Sequence, residues 1–549
     1  LYNIGKTATA GDSVGVGNGA GKYATGSYNT FVGSSAGLGG TTSAPFSSGQ
    51  NNVAMGYQAL KGFTTGDNNV AIGYKAADAL TTKGSGVYIG ANAGGNTIGA
   101  NNCVIIGDGA GLVATGGGTI AIGFDAMQAG TGGAYPIAMG YQALYNVTGN
   151  YNVGIGFNAG YELTSGQYNT LLGKGAGQYG NINYNVYIGY ESGFGVSGND
   201  NYSNTGVGYR SLKGVTTGVQ NTALGANSAG TITTGYDNVA IGVDALRLNQ
   251  TGYSNIAIGY QALQNHLVHS SVGIGRGAGK NSNGVQNVYM GTYAGLMQST
   301  GVTNTYIGDS AGRGFGLSEA AANSGNTAVG AQSLYRVTTG NYNTAMGVNA
   351  GINLTTGTQN ILIGNSAGEY ITNKSNSVHV GFSAGRYATG SNNTLVGMEA
   401  GRGPNSAPYA SGQYNTVLGY RALYSFTTSG NNVAIGSQAL YELETQTSTT
   451  GGNYVAIGHN AGHTYNQAQY GRNVAIGTAA AYYGSGSQYS VIIGYQAGQY
   501  GSGGGNVYMG YHAGRGYNAS GTWPYSTGAA NVAIGQSAMY SIQGGSDNV

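Results

Sequence analysis

The amino-acid sequence predicts an all-β solenoid, and three observations predict it. Gly supplies 108 of the 549 residues, Asp, Glu, Lys and Arg together supply only 7%, and one short phrase recurs from end to end. Ordinary domains carry roughly 7% Gly and about a quarter charged residues, so this composition belongs either to low-complexity disorder or to a repeat architecture. Disorder goes with low hydrophobicity and high charge. Here 40% of residues are apolar or aromatic and Val, Ile and Leu return at fixed places, which marks a core buried in small repeated pieces.

The phrase runs Asn, a β-branched residue, a small residue, an aliphatic residue, Gly, two variable residues, Ala, then Gly or Leu. Asn52-Val53-Ala54-Met55-Gly56-Tyr57-Gln58-Ala59-Leu60 is one copy, and Asn238-Val239-Ala240-Ile241-Gly242 begins another. There are about thirty copies, and their glycines mostly step by sixteen or seventeen residues, as in Gly56, Gly73, Gly90, Gly107 and Gly123. That step is too short for a helical repeat or a propeller blade and suits one coil of a β-solenoid. Copies reach both ends, so residues 1–549 read as a single array, and Asp547-Asn548-Val549 begins a further copy, as expected of a segment of a longer fibre.

Each part of the coil has a predicted role. The Val-Ala-Ile phrase is a short strand, and the period of two sends Val and Ile one way and Ala the other. The aliphatic side is assigned to the interior: Val53, Val70, Ile72, Ile241, Ile258, Ile435 and Ile534. The closing Gly permits a turn or a close backbone approach. A second short strand carries the recurring small residue (Ala59, Ala76, Ala143, Ala262). Turns such as Thr64-Thr65-Gly66 then close the coil, with positive φ expected at the Gly and the following Asn. Asn stacks on Asn from coil to coil and satisfies its amides along the axis. The Ala side, left facing out, is expected to pack against other copies of the chain.

Other classes are excluded on composition. Collagen needs Gly at every third position and abundant Pro, and a coiled coil needs charged heptad flanks and would suffer from Gly at this density. The net charge of +2 is spread thinly, so the basic stripe that nucleic-acid binding requires is missing. No run approaches the ~20 apolar residues of a spanning helix, so no membrane insertion is expected, and Leu1-Tyr2-Asn3-Ile4-Gly5 does not read as a signal peptide. The lone Cys103 reads as a small buried hydrophobe.

The phrase Asn-x-Val-Ala-Ile-Gly-x-x-Ala resembles the head repeats of trimeric autotransporter adhesins. More closely, Ala257-Ile258-Gly259-Tyr260-Gln261-Ala262-Leu263 and the Thr-Thr-Gly turns resemble the repeat arrays of phage tail-fibre proteins. The resemblance covers essentially the whole chain. It implies a left-handed parallel β-roll, three chains to a fibre and a role in attachment, hence an extracellular place on a virion or a cell surface. The coil is longer than in the adhesin head, and Tyr, at 46 residues, is far more abundant.

Little in the sequence points to catalysis, a cofactor or a metal. Ile274-Gly275-Arg276-Gly277-Ala278-Gly279-Lys280-Asn281 has a Gly-Lys step, but Ile274 and Asn281 stand where a phosphate loop needs Gly and Ser or Thr. His266, His269, His379, His459, His463 and His512 lack partners at metal-ligand spacing and are expected at the surface. Glu442 and Glu444 are the closest acidic pair that a glycan-cleaving spike could use. The function expected is therefore non-enzymatic: a tail-fibre shaft with a host-surface glycan or protein as partner. A bacterial or archaeal adhesin or filament is the alternative, ahead of a glycan-degrading spike or an ice-binding solenoid. Recognition is expected on the insertions, where the core glycines step by more than twenty residues, as from Gly33 to Gly56, Gly397 to Gly419 and Gly510 to Gly535. These carry Phe46, Tyr409, Trp523 and Tyr525 beside Pro45, Pro408 and Pro524, and Pro holds a loop in shape at low entropic cost. The coil and loop around 23–51 recur around 387–414, so the loop was copied with its coil.

Overall fold

A computed structural model describes residues 11–40, 46–98, 101–131, 133–314, 322–444, 452–466, 471–484, 488–516, 527–541 and 544–549. Among them there is no helix. The chain divides into two compact units, Leu1–Ser270 and Ser271–Val549. In the first, fifteen three-residue strands run from Val14–Val16 to Ile256–Ile258; in the second, fifteen more run from Val272–Ile274 to Val532–Ile534. Within each unit successive strands pair in parallel and in register, as in Ala240↔Ala257 and Ala434↔Ala456. Each unit is thus a parallel β-solenoid in which one strand of every coil stacks on the next.

The strand face is the reverse of the one expected. The middle residue points inward and its neighbours point out: Ala54, Ala71, Ala240, Ala257, Ala434 and Ala533 are buried, whereas Val53, Val70, Ile72, Ile241, Ile258 and Ile435 are half-buried and Ile534 is 68% exposed. A three-residue strand has a single inward place, and the coil is too thin to hold two aliphatic side chains there. The Ala residues therefore line the core instead of an outer face, and the need for another chain to cover them disappears.

What fills the interior is an exchange of volume between the strand's middle residue and the residue six further on. Where the middle is Ala, the partner is most often Leu or Met, as in Ala54 with Leu60, Ala240 with Leu246, Ala257 with Leu263, Ala328 with Leu334 and Ala434 with Leu440, all fully buried, although Ala71, Ala223 and Ala475 face another Ala and Ala345 and Ala456 face Gly351 and Gly462. Where the middle is large, the partner is Gly: Tyr187 with Gly193, Tyr289 with Gly295, Tyr306 with Gly312, Leu395 with Gly401 and Tyr508 with Gly514. The reason is steric. A Cβ on Gly295 would lie 2.3 Å from the Tyr289 ring, inside any allowed contact, so a close-packed interior permits one large group or the other.

The second arm of the coil is a chain of turns, not the strand expected. After the Gly, alternate residues take positive φ, as at Gln58 (56°) and Leu60 (51°), so the arm cannot pleat. It still couples coils: the Gln58 amide donates to the Ser34 carbonyl below (2.9 Å) and the Leu60 amide to the Ala76 carbonyl above (2.9 Å). Among the described residues, Ser425–Phe426, Glu442–Glu444 and Thr464–Asn466 alone pair as a second small sheet. In the closing turn positive φ falls on the residue before the ladder Asn, such as Asn68 (59°), and Gly66 is required for space, since a Cβ there would sit 2.3 Å from the Lys83 carbonyl oxygen.

The Asn ladder forms as expected. The Asn238 backbone N–H and side-chain Nδ2 both donate to Asn221 Oδ1 (3.1 and 2.9 Å), and Nδ2 also donates to the Gly252 carbonyl (2.8 Å). Asn255 repeats the pattern on Asn238 (3.0 and 3.1 Å). Cys103 occupies this column and is 1% exposed, with burial pushing its thiol pKa up.

Two outcomes follow. Ala240→Tyr and Leu246→Gly should each destabilise the first unit by about 2–5 kcal/mol in urea unfolding, by overpacking and by a cavity. The double variant should recover about 1–3 kcal/mol of coupling energy; strictly additive losses would refute the volume exchange. His379, in a strand middle opposite Gly385, is fully buried, and burial alone pushes its pKa down to about 3. The unfolded chain then binds a proton near pH 6.5 that the folded chain refuses, so stability falls as pH drops from about 6.5 toward 3, by up to roughly 1.4 kcal/mol per pH unit. His379→Leu, which copies its neighbours Leu362 and Leu395 in register, should flatten that part of the pH profile.

Candidate functional site

The regular coil surface is built from columns, because each outward position repeats one coil later. Tyr and Phe after the Gly stack from coil to coil: Tyr57 on Tyr74 with centroids 5.5 Å apart and planes 15° apart, and Tyr141 on Phe157 at 4.9 Å and 8°. A second column, before the ladder Asn, runs Tyr135, Tyr151, Tyr168, Tyr184 at 5.1–5.7 Å. The rings remain 42–60% exposed at Tyr141, Tyr151, Tyr168, Tyr184 and Tyr135, so they stiffen the coil stack and offer an aromatic surface at once.

The insertions depart from this regularity, and two described ones do so alike. The chain leaves the coil at Gly403 and rejoins at Ala410, which bridges Ala388; the earlier loop rejoins at Ser47, which bridges Ala24. Both fold an aromatic ring back onto a coil tyrosine: Phe46 stacks on Tyr23 (6.3 Å, 8°) and Tyr409 on Tyr387 (5.7 Å, 17°). Phe46 is exposed and Tyr409 half-buried. Trp523 and Tyr525 lie outside the described residues.

Tyr409 also meets Tyr370 (5.0 Å), and beside this cluster opens a cleft of about 540 Å³ in the second unit. Tyr370 and Tyr409 line it together with Arg336, Asn353, Lys374 and the threonines 355, 372 and 389. Two columns with seventeen-residue spacing supply most of the lining, Arg336-Asn353-Tyr370 and Thr355-Thr372-Thr389. Thr355 Oγ1 donates to the Thr372 carbonyl (3.0 Å) and Thr389 Oγ1 to the Ala410 carbonyl (3.1 Å). Each hydroxyl therefore has its one hydrogen committed and keeps acceptor capacity. Asn353 Nδ2 donates to the Glu369 carbonyl (2.8 Å). Behind the cleft Arg386 pairs with Glu369 (2.7 Å), while Arg386 and Arg402 both lie 5.2 Å from the Tyr387 centroid. Tyr409 was legible as a loop aromatic; the cleft was missed, although the seventeen-residue spacing of Thr355, Thr372 and Thr389 was its signal.

The remaining candidates are dispersed. His266 and His379 are buried rather than at the surface, because both fall at inward places of the coil. His463 is sandwiched between Tyr441 (4.8 Å) and Tyr482 (4.6 Å), and burial pushes its pKa down. Among the described residues no three His, Cys, Asp or Glu side chains group to hold a metal. Glu442 sits in register with Ser425 and Thr464 in the small second sheet; the Glu444 side chain lies outside the described residues. Among the described residues no helix is long and apolar enough to cross a membrane. Comparison with protein-family models and with curated proteins returns no match.

Proposed function

We propose that this chain is a non-enzymatic structural and attachment fibre, of the phage tail-fibre shaft kind, that works outside the cell on a virion. The observation that carries the reading is the coil itself: strand, Asn ladder and second arm all pass their hydrogen bonds along the axis, as from Asn238 to Asn221 and from Leu60 to Ala76. Such a unit extends by adding copies and meets its surroundings only through surface columns and loops.

The fibre is proposed to be a parallel homotrimer. Its support is no longer the Ala side but the outward aliphatic side of the strands, where Met55 (43%), Leu224 (49%), Met346 (43%) and Leu418 (51%) belong to apolar rows. Exposed apolar residues that continue from coil to coil are the kind of contiguous surface that marks a contact between chains, and a parallel copy presents the same row at the same spacing.

Light scattering of the purified chain should give three times its 55.1 kDa. Leu224→Lys with Leu418→Lys should dissociate the assembly without unfolding either unit. A stable soluble monomer before substitution would refute the trimer, and failure of the assembled fibre to adhere to any cell surface would refute attachment.

A further inference from the structure

We infer that the cleft beside Tyr409 is a binding site for a carboxylated polysaccharide, a chain of uronic-acid-type sugars laid along the axis of the coils. The inference rests on the attachment reading and names its ligand class. Three properties of the lining converge on it. Tyr370 and Tyr409 supply aromatic faces, and Pro408 immediately precedes Tyr409 in an exposed loop whose end is pinned by the Ala388–Ala410 bridge. Rings held this way stack on the C–H face of a pyranose with little ordering cost. Thr355, Thr372 and Thr389 repeat one coil apart, ~4.8 Å, and present hydroxyl oxygens whose hydrogens are mostly committed to carbonyls. A row of acceptors at a fixed interval suits the donating hydroxyls of a repeating polymer better than a single small molecule.

The third property is charge. Between residues 322 and 414 the sequence holds Arg336, Lys374, Arg386 and Arg402 but only Glu369 and Glu399 as acids, a local excess equal to the +2 of the whole chain. Both acids are already engaged, Glu369 by Arg386 and Glu399 by Arg402 and Arg421. Arg336 and Lys374 stand at the cleft itself, and Lys374 makes no ion pair among the described residues. A neutral glycan would have no use for this pair. A carboxylate every sugar or two would lie within reach of both charges and make charge-assisted hydrogen bonds with Lys374.

The test is calorimetric titration of the full chain with polygalacturonate, alginate and hyaluronate, each beside its carboxyl-reduced counterpart. At least one acidic polymer should bind, its neutral counterpart should bind tenfold or more weakly, and added salt should weaken the acidic one. Lys374→Gln should lower affinity about threefold to tenfold, and Tyr409→Ala tenfold or more, with circular dichroism unchanged; Tyr409→Phe should restore binding if the ring face acts. Equal binding of reduced and acidic polymers, or binding untouched by both variants, would overturn the inference, as would no binding to any of the three. Whole-cell adhesion separates the two readings. Adhesion that survives Lys374→Gln and Tyr409→Ala leaves the attachment role standing and sinks this site, whereas a chain that binds uronates but no cell sinks the attachment role alone.

Discussion

The structure depends on the Asn ladder. In its fullest form a ladder Asn donates twice from its own side-chain amide and also accepts the backbone N–H of the next Asn, as Asn221 and Asn238 do in sequence. The residue is fully buried, so an unmade bond here would carry the whole desolvation penalty, about 1–3 kcal/mol per group. Within each unit the ladder ties the height of a coil to the one before it wherever Asn runs on, and where Gly86, Cys103, Thr119 and Pro136 take the column the strands and second arm carry the register across to Asn152. Where Asn gives way to Ser, the hydroxyl keeps the essential acceptor: Asn287 N–H donates to Ser271 Oγ (3.3 Å) and Asn506 N–H to Ser490 Oγ (3.2 Å).

With the height fixed, the interior becomes a problem in volume. Coils touch so closely that a Cβ on Gly242, at φ +126°, would lie 2.6 Å from the Gly259 carbonyl oxygen. The strand middle and its partner six residues on then share one space, which Ala and Leu or Tyr and Gly divide between them. Buried tyrosines show how large that space can be: Tyr187 reaches Asn201 (2.8 Å) and Tyr306 reaches Asn323 (2.6 Å) through their hydroxyls, whereas the Tyr88 and Tyr508 hydroxyls are buried without a partner among the described residues, so the ring's volume rather than its polar tip decides the fit.

The periodic features were legible in the sequence because they repeat: the strand phrase, the sixteen- to seventeen-residue coil, the stacked Asn and the loops that carry Phe46 and Tyr409. The direction of the strand was not. Val-Ala-Ile reads equally well with either face inward when only three residues pleat, and the interior width decides. The clue lay six residues away, in the pairing of Ala54 with Leu60 and of Tyr289 with Gly295. The second arm was misread as a strand because its Ala residues recur, while the informative residue was the one before each, such as Gln58, Asn158 or Asp244, types that tolerate positive φ. The cleft escaped notice since Arg336, Asn353 and Tyr370 share no chemistry until the coils stack them into one column.

Turning the strands outward changes what the surface means. The aliphatic rows, the aromatic columns and the cleft are all consequences of a core that accepts only small or paired side chains, and that core in turn rests on the ladder. Amide hydrogen exchange across residues 236–257 tests the dependence most directly, comparing the native chain with Asn238→Ala and Asn238→Ser. The Asn255 amide, bonded to Asn238 Oδ1 at 3.0 Å, should exchange at least tenfold faster in the Ala variant, with its coil neighbours following, and should stay largely protected in the Ser variant. Undiminished protection of Asn255 in Asn238→Ala would contradict the central role of the ladder.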